Sequence, residues 1–261
     1  GIKEVVLTGI HIASYGKDFS NEDVSDISNK FKYKVGKKEF YLIDLLEEIQ
    51  KIDGIERIRL GSLEPTLITE EFVTRLSKLS KICNQFHLSL QSGCNETLKR
   101  MNRKYTTEEF EKGIELLRKA FKEVHLTTDI IVGFPGETEK EFEQTYKFLS
   151  KIKFYKMHVF KYSPRNGTVA AKMPNQIDGN IKEERSNKLL TLSNSNEEEY
   201  NKQYMGKEVE VLLEDREGDY LKGHTTNYMV VKVKTDKELE NTIQKVIITN
   251  IEDLELIGNL K

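Results

Sequence analysis

Strand-like and helix-like patterns alternate strictly through the first two thirds of this chain, and that alternation limits the fold more than any other feature. Residues 4–8, 57–60, 86–90, 126–132 and 157–162 are short, largely apolar runs. Between them, Leu42, Leu45, Leu46 and Ile49 recur at helical spacing, as do Phe72, Leu76 and Leu79, then Phe110, Ile114, Leu117 and Phe121, then Phe142, Thr145, Tyr146 and Leu149. Successive strands joined by helices run parallel with right-handed crossovers, so five visible strands predict an α/β body, either a doubly wound sheet or part of a barrel. Gly1 stands directly against the first strand, and any earlier βα unit of a full protein is expected upstream of it.

Two segments break the rhythm. Residues 11–38 are polar and too long for an ordinary βα connection, which predicts a functional or mobile loop. Residues 163–179 hold two of the four prolines and lead into a long polar helical pattern over 181–205. After Gly206 the pattern becomes short and alternating at 208–213, 220–224, 229–234, 243–249 and 251–256. Five such strands predict a small all-β barrel of the kind used for oligonucleotide contacts. The expected units are therefore 1–180 as the α/β body, 181–205 as a linking helix and 206–261 as the β module.

Composition removes several classes of function. No apolar run approaches the roughly 20 residues of a membrane span, and residues 1–9 read as a strand rather than a leader, so a cytoplasmic location is expected. The formal net charge is −2, and residues 203–261 carry eight Lys/Arg against twelve Asp/Glu, so nucleic-acid contact must come from local surface rather than from bulk charge. Cys83 and Cys94 are the only cysteines, too few for a disulfide framework and without the spacing of a metal site. His11, His87, His125 and His158 also lack ligand-like spacing, and no metal site is expected in this chain.

In parallel βα architectures, ligand-binding groups collect at the C-terminal ends of strands. The chain places Thr8-Gly9-Ile10 after the first strand, Gly61-Ser62-Leu63-Glu64-Pro65 after the second, Gln91-Ser92-Gly93-Cys94 after the third, and Asp129 with Gly133-Phe134-Pro135-Gly136-Glu137-Thr138 in and after the fourth. Glycines allow close backbone approach, while Gln, Ser, Asp and Glu hydrogen-bond the hydroxyls and amines of a small molecule. Any one of these loops is equally well an ordinary turn followed by a helix cap; their recurrence after four strands points to a site.

The strings VVLTGIHIASYG (residues 5–16), RIRLGSLEP (57–65), HLSLQSGCNETLKRMNRKYT (87–106), TTDIIVGFPGET (127–138) and YSPRNGTVAA (162–171) resemble the radical S-adenosylmethionine methylthiotransferases. GKEVEVLLE (206–214) with GHTTNYMVV (223–231) is similar to the TRAM module that contacts tRNA in that family. The loop Leu63-Glu64-Pro65 resembles the branch acting on N6-threonylcarbamoyladenosine next to the anticodon.

The resemblance implies a partial (βα) radical-SAM barrel lacking its first strand, followed by a small OB-like TRAM barrel. It implies S-adenosylmethionine as cofactor, held by Thr8, Gly9, Ile10, Ser62, Glu64, Gln91, Ser92, Arg103 and Asp129, with Arg103 suited to a carboxylate. It implies tRNA as partner, contacted by Lys222, His224, Asn227 and Tyr228. It also implies two four-iron, four-sulfur clusters in a full-length parent, neither with ligands here, so the chain alone is expected to be inactive. Electron and sulfur donors are not indicated. Rival readings are a cluster-free RNA-binding protein on a decayed barrel, an enzyme of the same family acting on isopentenyladenosine or a ribosomal protein, and an ordinary barrel enzyme of phosphorylated metabolites.

Overall fold

Thr69, Thr106 and Thr138 each accept a hydrogen bond from a backbone N–H three residues on, and so fix where three of the body's helices begin. Glu109 and Glu141 complete capping boxes on the last two. In the computed structural model, which describes residues 1–9, 11–16, 33–35 and 38–261, the body's helices are α1 (Leu42–Ile49), α2 (Glu70–Leu76), α3 (Asn95–Arg100), α4 (Thr107–Ala120) and α5 (Glu139–Ile152). Their apolar faces bury Leu42, Leu46, Phe72, Leu76, Phe110, Ile114, Phe142 and Leu149 in one core cluster.

As the alternation predicted, five parallel strand positions lie side by side in chain order. They are β1 (Glu4–Leu7), β4 (Arg57–Leu60) with its short continuation β5 (Ser62–Leu63), β6 (Gln85–Leu88), β7 (His125–Val132) and β8 (Lys156–Lys161). Bridges between Ile58 and Ile82 join β4 to the segment entering β6. Gly61 separates β4 from β5 and shifts the alternation by one residue: Ile58 and Leu60 face the core, and Leu63 faces it again. A side chain at Gly61 would stand 3.0 Å from Thr8 Oγ1 and 3.1 Å from the Leu7 carbonyl, which is why glycine sits there.

Part of the expected loop 11–38 is a short antiparallel pair, β2 (Tyr33–Val35) with β3 (Lys38–Phe40). The rest of that loop beyond residue 16, and Ile10, lie outside the described residues. Helix α6 (Gly179–Lys202) then runs beside β8 and buries Leu189 in the body's core. It leads to a closed five-stranded barrel of β9 (Glu208–Glu217), β10 (Tyr220–Thr225), β11 (Val230–Lys234), β12 (Thr242–Glu252) and β13 (Glu255–Leu260), in the order β10-β11-β13-β12-β9. The last two strands differ from the sequence reading: Ile251 belongs to β12, and the turn falls at Asp253 and Leu254, both left-handed at φ 50° and 64°. No helix among the described residues is long and apolar enough to cross a membrane.

Candidate cofactor and substrate face

The parallel sheet has one apolar face and one polar face. Alternate residues of a strand point to opposite sides. Ile58, Leu60, Phe86, Leu88, Leu126, Ile130 and Met157 meet the helices. Glu4, Arg57, Arg59, Gln85, His87, His125, Thr127, Asp129 and His158 take the other side, where Arg59 bonds Glu4, Gln85 and His87 both bond Thr127, His87 also meets Asp129, and the His158 ring stands near that of His87. A strand buried between helices on both faces reads as a continuous apolar run; this polar alternation instead marks a face built for contact with something other than helices.

The lower half of that face, at the N-terminal ends of the strands, is covered by the β9–β13 barrel. Arg57 donates to the carbonyls of His224 and Glu210 at 2.8 and 3.0 Å. Arg59 donates to those of Thr226 and Thr225 at 3.1 and 3.2 Å while holding the Glu4 carboxylate. His125 is buried against Tyr155, with Asn227 Nδ2 3.3 Å from its Nε2.

The upper half is open. Thr8, Gly9 and Ser62 are exposed there, and Glu64 is half-buried with His11 Nε2 3.0 Å from its Oε1. His87 Nε2 lies 3.2 Å from Asp129 Oδ2, and the His158 ring stands 5.7 Å from that of His87. Burial pushes the Asp129 carboxyl up, but the hydrogen bond and charge of His87 outweigh it and hold the group below its usual range. The Tyr105 hydroxyl donates to the Ser89 carbonyl at 2.8 Å; burial raises its pKa to about 12, with the Arg103 charge opposing and the Glu64 charge adding.

Of the sequence-derived cofactor candidates, the structure therefore brings Thr8, Gly9, Ser62, Glu64 and Asp129 to the open end of the face, with exposed Arg103 within electrostatic range of the Tyr105 hydroxyl. Gln91 is largely buried and left-handed at φ 72°, its backbone continuing the pairing with β7 through Asp129 and Ile131. Ser92 is fully buried, facing Thr145 Oγ1 at 3.2 Å, so it sits with helix α5 and not on the face. Ile10 lies outside the described residues. The sequence reading does not assign Gln85, His87, Thr127 or His158 to the site; the polar alternation within QFHLSLQ, HLTTDII and KMHVFK is the signal that finds them.

On the barrel, Lys222 is bound by Glu255 at 3.0 Å and Glu217 at 3.4 Å, which raises its pKa. His224 stacks on Tyr228 with ring centroids 4.4 Å apart and bonds Glu214. The Arg59 guanidinium lies 4.5 Å from the Tyr228 ring centroid. Asn227 faces inward, donating to the Tyr204 hydroxyl at 2.7 Å, so it ties the two parts of the chain together and does not belong to an outward RNA surface. His224 and the 45%-exposed Tyr228 remain outward-facing.

The donor set of the open half, hydroxyls, carboxylates and free backbone, suits the ribose and amino-acid groups of S-adenosylmethionine. The cysteines do not suit an iron–sulfur cluster. Cys83 contacts Glu4 under the barrel module, and Cys94 contacts Glu96 and Gln144 at the start of α3. Burial raises both thiols, Cys83 to about 11, opposite to what thiolate ligation needs. Among the described residues no three His, Cys, Asp or Glu side chains come together as a metal site.

A family model for the radical SAM superfamily matches residues 2–149. The threonylcarbamoyladenosine tRNA methylthiotransferase MtaB of Bacillus subtilis (strain 168) is 41% identical over 252 residues, covering 94% of this chain and 52% of that protein. The tRNA-2-methylthio-N(6)-dimethylallyladenosine synthase of Aquifex aeolicus (strain VF5) is 36% identical over 260 residues, covering 100% of this chain and 55% of that protein. The chain thus spans about half the length of the curated relatives it matches. Among solved structures, coproporphyrinogen III oxidase (HemN) from Escherichia coli, a radical SAM enzyme, superposes with a TM-score of 0.48 at 16% identity, over 59% of this chain and 36% of that one. From the family model, the chain belongs to the radical SAM superfamily.

Proposed function

We propose that this chain carries the S-adenosylmethionine face and the RNA-contacting module of a tRNA methylthiotransferase, acting at C2 of N6-threonylcarbamoyladenosine next to the anticodon. The observation that carries the reading is the similarity over nearly the whole chain to two relatives that are both named for methylthiolation of tRNA adenosines. The loop containing Glu64, at the open end of the polar face, supports the threonylcarbamoyl branch. A dimethylallyladenosine substrate is the second reading, favoured by the Aquifex relative.

In this proposal Thr8, Gly9, Ser62, Glu64 and Asp129 hydrogen-bond S-adenosylmethionine, with Gln91 supporting Asp129 and β7 through its backbone. When bound, that cofactor supplies the methyl group of the product. Arg103, within electrostatic range of the Tyr105 hydroxyl, takes a carboxylate. The covered lower half of the face keeps water from approaching beneath the bound ligands. His224 and Tyr228 present an imidazole and a phenol ring to RNA, and Lys222 is held by two carboxylates that would have to yield to a phosphate. A cytoplasmic site of action and the three units 1–180, 181–205 and 206–261 belong to the same proposal.

Deletion of the gene that encodes this chain tests it, with tRNA nucleosides analysed by mass spectrometry. Loss of the methylthio mark on threonylcarbamoyladenosine alone supports the first reading. Loss on dimethylallyladenosine alone selects the second, and tRNA unchanged in both overturns the methylthiotransferase proposal in favour of an RNA-binding role.

A further inference from the structure

Four polar side chains on adjacent strands β6 and β7 form a line across the polar face. Gln85 Nε2 donates to Thr127 Oγ1 at 3.1 Å, Thr127 Oγ1 meets His87 Nδ1 at 3.0 Å, and His87 Nε2 meets Asp129 Oδ2 at 3.2 Å. Gln85 and Thr127 are buried, at 6% and 5% exposure, while the His87 and Asp129 side chains open to 15% and 27%. The line therefore runs from the covered half of the face to the open half.

Donor and acceptor chemistry fixes its direction. An ionised carboxylate only accepts, so the proton between His87 and Asp129 resides on Nε2. Thr127 Oγ1 already accepts from Gln85. It either donates its own proton to Nδ1 of a neutral ring or accepts a second one from a charged ring, and in both cases Nε2 carries hydrogen. Asp129 Oδ2 is thereby committed, no hydrogen bond from a described residue reaches Oδ1, and the Asp129 side chain is 27% exposed. His158, 5.7 Å from His87, walls the far side.

We infer that Gln85, Thr127 and His87 are positioning residues that hold Asp129 ionised and turned so that its free oxygen receives an O–H or N–H donor of a ligand on the open half. The inference rests on the reading of that half as the cofactor face and deepens it. A buried polar line with every member bonded to the next is costly to interrupt, because the remaining members keep their burial and lose their partners.

Two measurements on this chain test it. Long-range proton–nitrogen NMR with labelled histidine reports the tautomer directly: His87 is expected to show a protonated Nε2, and an unprotonated Nε2 overturns the line. Calorimetric titration with S-adenosylmethionine reads the consequence. His87→Ala and Asp129→Asn are expected to weaken binding roughly tenfold or more, the size of a hydrogen bond to a charged group. His87→Gln, whose Nε2 reaches the position of the ring Nε2, is expected to recover most of it. A His87→Gln variant no better than His87→Ala overturns the positioning role. If the unaltered chain binds no S-adenosylmethionine, the cofactor-face reading fails and the NMR result alone decides the line.

Discussion

His125 begins strand β7 under the barrel module and is 1% exposed. Its ring stacks on Tyr155 at 4.3 Å and meets the edges of Tyr200 and Tyr204. Nε2 accepts from Asn227 Nδ2, which places the ring hydrogen on Nδ1. Burial drives the imidazole pKa down to about 3, against a smaller upward pull from a backbone hydrogen bond of Asn227. The unfolded chain binds a proton near pH 6.5 where the folded chain does not, so stability is full above that pH and falls as pH drops toward 3, by roughly 1 kcal/mol per unit. Urea midpoints measured from pH 7 to pH 5 should show this slope, and His125→Phe should flatten it. Parallel slopes in the two proteins would assign the acid sensitivity elsewhere. Asn227→Ala should cost about 1–3 kcal/mol at neutral pH, since it removes the amide that donates to both the Tyr204 hydroxyl and His125 Nε2 and leaves them only their own 3.5 Å contact; thermal unfolding measures it.

The loop after β7 depends on α6. Gly133 N–H donates to Glu137 Oε2, and Arg185, reaching from α6, donates to the same oxygen at 2.7 Å and to the Glu137 carbonyl. Lys182, one turn earlier on α6, lies against Gly133 and donates to the Tyr162 carbonyl. Glu137 is so deeply buried that its pKa rises despite Arg185, which means desolvation outweighs the attraction. The two partners should then fail unequally. Arg185→Met leaves a buried carboxylate unpaired and is expected to lose about 3–5 kcal/mol. Glu137→Gln keeps an acceptor for Gly133, leaves Arg185 its bond to Glu139, and should lose clearly less. Equal losses by chemical denaturation would contradict this account. Elements of this kind were partly legible beforehand. Apolar spacing placed α4 and α5, because that signal is local. The β12–β13 turn was misplaced because Asp253 and Leu254 adopt left-handed backbone without a glycine to announce it.

At the scale of the whole molecule, the contact between the α/β body and the β barrel had no counterpart in the sequence. Arg57 and Arg59 donate mainly to main-chain carbonyls, and a carbonyl is present at every residue, so no complementary side-chain pattern betrays the pairing. What RIRL does reveal is that one side of β4 is unsuited to a helix. The four carbonyls belong to Glu210 and to the consecutive residues His224, Thr225 and Thr226, which lead into the turn carrying Tyr228 at φ 68°. The body therefore shapes the very turn that presents His224 and Tyr228, and the barrel is held by it rather than tethered to it. Replacing both arginines by alanine removes the four charged bonds to carbonyls and leaves Glu4, 12% exposed, without its guanidinium partners. Amide exchange at Thr225–Met229 should then accelerate, and calorimetry should resolve separate transitions for barrel and body where the unaltered chain gives one. Lysine at both positions should fall between, since an ammonium keeps the charge but cannot span two carbonyls as a guanidinium fork does. A double-alanine variant that still melts in one transition, with exchange unchanged at the turn, would show that the other contacts, α6 and the Asn227–His125 bond among them, set the arrangement without the arginines.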